Sequence, residues 1–167
     1  MAADRDILIS EVGPRDGLQS IQAIMPTAAK KAWISAAAAS GITEVEVGSF
    51  VPARVLPQLA DTAELVAHGR GIPGLTVAVL VPNLKGAERA LAAGFRHINF
   101  VVSVSEAHSQ SNTRRTVAES LAEFDRVAAL RETPAGRDMV LAIGLVTSFG
   151  CTLQGDVEPE AVLAVAR

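Results

Sequence analysis

Ile7-Leu8-Ile9-Ser10-Glu11-Val12, followed at once by Gly13-Pro14-Arg15-Asp16-Gly17-Leu18-Gln19, is the stretch on which the fold turns. Its first half is an apolar run that predicts a strand over Ile7 to Val12. Gly13-Pro14 closes that run, because proline has no amide to offer a neighbouring strand. Gly17 permits a tight turn. Arg15, Asp16 and Gln19 are thereby crowded onto the loop at the strand's C-terminal end, where parallel α/β folds place their active sites.

The same alternation continues along the chain. Further strands are predicted at Thr43 to Val47, Leu75 to Val81, His97 to Val102 and Met139 to Val146. Helices are predicted at Ala28 to Ser40, with Thr27 as N-cap and Gly41 as stop, at Leu56 to His68 ended by Gly69, and at Leu84 to Ala93. Another runs from Thr116 to Glu132, where Glu119 three residues after Thr116 fits a capping box, and a last one begins at Pro159. Ser103 to Arg115 reads as a polar loop. The order βαβαβαβαβα means an α/β fold with a parallel sheet and right-handed crossovers. An open doubly wound sheet and part of a (β/α)8 barrel both fit. A closed barrel takes about 250 residues, whereas these 167 residues supply five strands.

Composition narrows the function classes. Hydrophobic residues at 49% and a mean hydropathy of +0.31 exclude a disordered chain. A formal net charge of −3 offers no basic face and argues against nucleic acid. The single cysteine, Cys151, can build neither a disulfide framework nor, alone, a zinc site. Met1 to Asp6 carries three charges and no apolar segment of signal-peptide length. The longest apolar runs are too short to cross a bilayer. A soluble cytoplasmic protein is expected.

Two stretches carry chemistry. On the first loop, a carboxylate such as Asp16 is what a hard cation needs, and the adjacent Arg15 guanidinium could hold an oxyanion. In Glu44-Val45-Glu46-Val47-Gly48-Ser49-Phe50, strand alternation puts Glu44 and Glu46 on one face and the valines on the other. An inward carboxylate is costly unless it is paired, hydrogen-bonded or near a metal. Glu46 is the better candidate, being nearer the functional end of the strand. Residue chemistry alone leaves plainer readings open: a surface Arg15–Asp16 pair, neighbouring Lys or Arg partners for Glu44 and Glu46, and Glu11 as a partner for Arg15.

These two stretches together closely resemble the hydroxymethylglutaryl-CoA lyase family of metal-dependent lyases and Claisen synthases. The likeness continues through Val55-Leu-Pro-Gln-Leu-Ala-Asp61, Val81-Pro-Asn-Leu-Lys-Gly86, Ala92-Ala-Gly94, Ser105-Glu106, Glu119-Ser120, Phe124-Asp125 and Gly150-Cys151, in order and over nearly the whole chain. It implies a (β/α)8 TIM-barrel type of α/β fold, incomplete here, with about five βα units as the N-terminal portion of one lyase domain. It implies cleavage of 3-hydroxy-3-methylglutaryl-CoA, or a related 3-hydroxy-acyl-CoA, to acetyl-CoA and acetoacetate with a divalent metal, Mg or Mn. By the resemblance Asp16 is the metal ligand, Arg15 stabilises the enolate oxygen and Glu46 is the inward catalytic carboxylate. Gln19 and Ser105 are expected on the substrate side. The implied partner is an acyl-CoA, with neither nucleic acid nor membrane, and homo-oligomer formation is left open.

The departures matter as much. The family's His-x-His ligands, its Asn ligand and its Gly-rich loop with a catalytic Cys are expected beyond residue 167. His68, His97 and His108 lack the paired spacing and are not promoted to ligands. Cys151 is read as a small buried or loop cysteine, Thr147 stands where the family has an earlier Cys, and Lys85 and Asn83 mark a helix start. The alternatives are a related Claisen synthase or aldolase on the same frame, or a non-catalytic partial barrel.

Overall fold

The computed structural model describes residues 7–167; the charged stretch Met1 to Asp6 lies outside the described residues. Two compact units meet in the sequence after Leu80, the second running Val81–Arg167.

The first unit contains β1 (Ser10–Glu11), α1 (Thr27–Ala39), β2 (Glu44–Ser49), α2 (Thr62–Arg70) and β3 (Thr76–Leu80). The strands pair in parallel in chain order, with Ser10 opposite Glu44 and Glu44 opposite Thr76. Register slips once, between Glu46 and Gly48, so that Val47 is an extra residue forming a bulge on β2. The helix side of this sheet is apolar: Val45, Val47 and Val79 are fully buried with Ile34 of α1 and Leu65 of α2. Each such side chain contributes about 1.5–3 kcal/mol. The alternation predicted for β2 is therefore present, with valines on the helix side.

Several boundaries differ from the sequence reading. The first strand pairs only at Ser10–Glu11, and Ile7, Leu8 and Ile9 are exposed. Thr27 is the first residue of α1, not its cap, because its hydroxyl donates to Asp61 Oδ2 at 2.8 Å. Gly41 does stop the helix, at φ +96°. The second predicted helix is a short 3₁₀ turn, Pro57–Leu59, followed by α2. Gly69 is the penultimate residue of α2, which runs on to Arg70 with Gly71 as its C-cap. A Cβ there would fall 2.8 Å from Val77 Cγ2, so the glycine lets the helix lie directly on β3.

The second unit contains α3 (Leu84–Ala92), β4 (His97–Ser103), α4 (Glu106–Thr113), α5 (Val117–Ala128), β5 (Val140–Val146) and α6 (Pro159–Ala166). β4 and β5 pair in parallel without a slip, from His97 opposite Val140 to Ser103 opposite Val146. Ile98, Phe100 and Val102 are buried on alternate positions of β4. Phe100 meets Phe124 of α5 with ring centroids 5.7 Å apart and planes tilted by 55°, a favourable aromatic geometry. Asn83 caps α3 by accepting from the Gly86 amide at 2.9 Å, and Thr116 with Glu119 forms the expected capping box. His97 opens β4 as expected.

The stretch read as a polar loop instead contains α4. Ser105 caps it by accepting from the His108 amide at 3.2 Å. Glu106 accepts from the Val117 amide, tying α4 to the start of α5. The helix predicted to reach Glu132 ends at Ala128 and tightens into a 3₁₀ turn, Ala129–Glu132. No described helix is long and apolar enough to cross a membrane.

Candidate active site

Gly13–Gly17 coils into a single wide π-type helical turn immediately after β1. The Val12 carbonyl accepts from the amides of Arg15 at 3.0 Å and Asp16 at 2.8 Å, which closes the turn. Glu11 Oε1 accepts from the Gly13 amide at 2.6 Å and secures its entry. Glu11 thus bonds the loop backbone, where the sequence had suggested the Arg15 side chain.

That turn delivers Arg15 to β2. Arg15 Nε donates to Glu46 Oε1, and Arg15 Nη1 donates to Asp16 Oδ1 at 2.7 Å. Gln19 Nε2 donates to the same Asp16 oxygen at 2.9 Å. Four of the five site residues expected from the sequence, Arg15, Asp16, Gln19 and Glu46, therefore form one hydrogen-bonded group. The Glu46 side chain is only 4% exposed, Arg15 is 15% and Asp16 54%. A nearly buried carboxylate fixed by a guanidinium, next to an exposed one, is a graded arrangement. The inner pair sets geometry, and the outer oxygen remains accessible.

Asp16 Oδ2 accepts no hydrogen bond from the described residues, so a hard oxygen donor stands open to solvent. This suits one ligand of a divalent cation, which takes several oxygen or nitrogen donors. Among the described residues, no three of His, Cys, Asp and Glu converge as a metal site. Two histidines are occupied elsewhere: His68 Nε2 lies 2.9 Å from Ser35 Oγ, and His108 Nδ1 lies 2.8 Å from Ser103 Oγ.

Ser105, the fifth expected residue, belongs to a separate polar cluster in the second unit. Its fully buried hydroxyl caps α4 and lies 3.1 Å from Cys151 Sγ and 2.9 Å from Gln154 Oε1. Its amide donates to Thr147 Oγ1 at 3.1 Å. Cys151 is buried and closes a small turn through mutual backbone bonds with Gly155. The Ser105 hydroxyl holds the Cys151 thiol below its ordinary pKa, against the opposing effect of burial, with help from the Leu153 amide. A lowered thiol pKa means more thiolate at any pH beneath it. Ser105→Ala is therefore expected to move the midpoint of a pH–alkylation profile of Cys151 upward; an unmoved midpoint removes Ser105 as its cause.

Sequence reasoning named Glu11 but gave it another partner, and it passed over Thr62, whose buried hydroxyl bonds the backbone of Ser49. A carboxylate two residues before Gly13 was a visible signal for the first. The second is a tertiary contact with no local signature.

The HMGL-like family model matches residues 6–167. The chain is 37% identical to the 3-hydroxy-3-methylglutaryl-CoA lyase, cytoplasmic, of Rattus norvegicus, over 96% of this chain and 46% of that protein. It is 38% identical to the 3-hydroxy-3-isohexenylglutaryl-CoA/hydroxy-methylglutaryl-CoA lyase of Pseudomonas aeruginosa, over 100% of this chain and 55% of the relative. A solved hydroxymethylglutaryl-CoA lyase from Pseudomonas aeruginosa superposes with a TM-score of 0.87 at 38% identity, covering 96% of this chain and 52% of that one. The chain thus spans about half the length of the relatives it matches. The likeness places its fold in the (β/α)8 class expected from the sequence, in part.

Proposed function

Because the chain belongs to the HMGL-like family, we propose that it carries the Arg15–Asp16–Glu46 part of the active site of a divalent-metal-dependent carbon–carbon lyase. The proposed substrate is 3-hydroxy-3-methylglutaryl-CoA, split to acetyl-CoA and acetoacetate, or a related 3-hydroxy-acyl-CoA, split to acetyl-CoA and its corresponding carbonyl compound. The observation that carries this reading is the Arg15 guanidinium bonded to both Glu46 of β2 and Asp16 of the loop after β1. We further propose that residues 1–167 form the N-terminal portion of one barrel domain, a reading supported by coverage of about half of each relative. The relative from rat named cytoplasmic supports a cytoplasmic location.

In this proposal each residue has a definite task. Glu46 holds Arg15 Nε, so the guanidinium plane is set before substrate arrives. Two of its five N–H groups are used in these bonds, and the rest can meet the oxygen on which charge gathers as the carbon–carbon bond breaks. Gln19 donates to Asp16 and steadies the oxygen opposite the open one. Asp16 would hold Mg or Mn, which when bound supplies Lewis-acid polarisation of substrate oxygens.

The test is acetoacetate release from hydroxymethylglutaryl-CoA with and without Mg or Mn, beside a metal titration of the chain. Metal-dependent release is expected from the complete site. Asp16→Asn is expected to weaken the metal by about 10-fold or more, read by calorimetry. Equal affinity in the two proteins would remove Asp16 from the ligand set.

A further inference from the structure

The bulge on β2 lies directly after Glu46, and one contact from α2 seats it. Glu46 pairs with Ala78 and Gly48 with Val79, leaving Val47 as the extra residue. Val47 and Gly48 therefore share one position on the helix side, and Ser49, opposite Leu80, turns to the same face as Glu46. Without the extra residue the alternation would send Ser49 to the helices.

Gly48 is where α2 begins to press on the strand. A Cβ at Gly48 would overlap Thr62 Oγ1 and fall 2.8 Å from Thr62 Cγ2. Through this gap the Thr62 hydroxyl, itself buried, reaches the backbone beyond the bulge. Its oxygen accepts from the Ser49 amide at 3.1 Å and lies within donating distance of the carbonyls of Ser49 at 3.1 Å and Leu59 at 2.7 Å. The amide and carbonyl of one residue are thus held by a single side chain on the first turn of α2.

We propose that Gly48 and Thr62 are a positioning pair: they lock the bulge and, through it, hold Glu46 where it can grip Arg15. Bulges beside active sites commonly re-aim a side chain in this way. The pair touches no substrate and acts through Glu46, so its catalytic consequence rests on the lyase reading above, whereas its geometric consequence does not.

The experiment compares Thr62→Val, which keeps the shape and loses the hydroxyl, with Thr62→Ser, which keeps the hydroxyl. The first readout is the Arg15 Nε–H resonance in the ¹⁵N-labelled chain, identified by its loss in Arg15→Lys. The wild type and Thr62→Ser are expected to keep this resonance in its hydrogen-bonded position, and Thr62→Val to lose it. In a chain that turns over substrate, Thr62→Val is expected to lower kcat about 10-fold with little change in KM, and Thr62→Ser to restore it. Gly48→Ala attacks the same contact from the strand side and should reproduce the Arg15 signal loss should Thr62→Val not fold. An unchanged Arg15 resonance in a folded Thr62→Val or Gly48→Ala chain overturns the proposal. So does loss in Thr62→Ser equal to that in Thr62→Val, which would mean general loosening. A protein that carries these residues in a complete site yet lacks lyase activity would count against the function alone, since the Arg15 resonance decides the pair without turnover.

Discussion

Replacing Arg15 by Gln is expected to lower turnover of the proposed lyase about 10²–10³-fold, the effect of removing one preorganised donor from a developing oxyanion. Glutamine is shorter and neutral. It can neither span from Glu46 to Asp16 nor present charge to the reacting oxygen. The loss should fall on kcat more than on KM, because the interaction strengthens only as the bond breaks. The change also strips Glu46, almost wholly buried, of its guanidinium, so some loss of stability should accompany it. Arg15→Lys separates these contributions: it keeps the charge but loses the planar fork that binds two carboxylates at once. Turnover within a few-fold of wild type in folded Arg15→Gln would remove Arg15 from the chemistry.

The largest expected effect on stability lies away from that site. Lys30 of α1 is 1% exposed, and its ammonium donates to Asp61 Oδ1 at 2.7 Å and to the Gln58 carbonyl at 2.6 Å. Asp61 also accepts from Thr27. The group joins α1 to the turn that precedes α2. Lys30→Met keeps the aliphatic stem but leaves Asp61 without its counter-charge, and breaking a buried pair from one side costs about 3 kcal/mol or more. The sole tryptophan, Trp33, sits on the same helix, so its fluorescence in a urea titration reads the loss. The double variant Lys30→Met, Asp61→Leu should recover much of it, since an apolar pair leaves no stranded charge. A urea midpoint for Lys30→Met equal to that of wild type would show that the pair holds nothing.

Much of this is legible in the residues. The five strands announce themselves through β-rich runs, β1 and β3 among them soon followed by proline, and most of the helices through their apolar period. Loop placement and strand alternation put Arg15, Asp16 and Glu46 at the same end of the sheet, and the family resemblance joins them into one site. Two kinds of feature are not legible. Helix α4 has a single apolar residue, Ala107, among Glu106–Thr113, so it shows no hydrophobic period. Its signal is the Ser105 cap and the bonds of Glu106 to α5. The bulge at Val47 leaves no mark either, since Val-Gly-Ser reads equally well as plain strand. Its partner is Thr62, whose hydroxyl bonds the backbone of Ser49 from thirteen residues away. Gly69 misleads for a related reason: a glycine near a helix end suggests a stop, but here it answers a crowding neighbour.

That close approach of α2 to β3 at Gly69 and Val77 also constrains how the sequence can drift. Neither position can grow alone. Alanine at 69 would be tolerated only in a lineage that had first trimmed the valine at 77, and isoleucine at 77 would close the route to any larger residue at 69. The two positions should therefore change together across descendants of this chain, as a compensating pair whose intermediate steps are selected against.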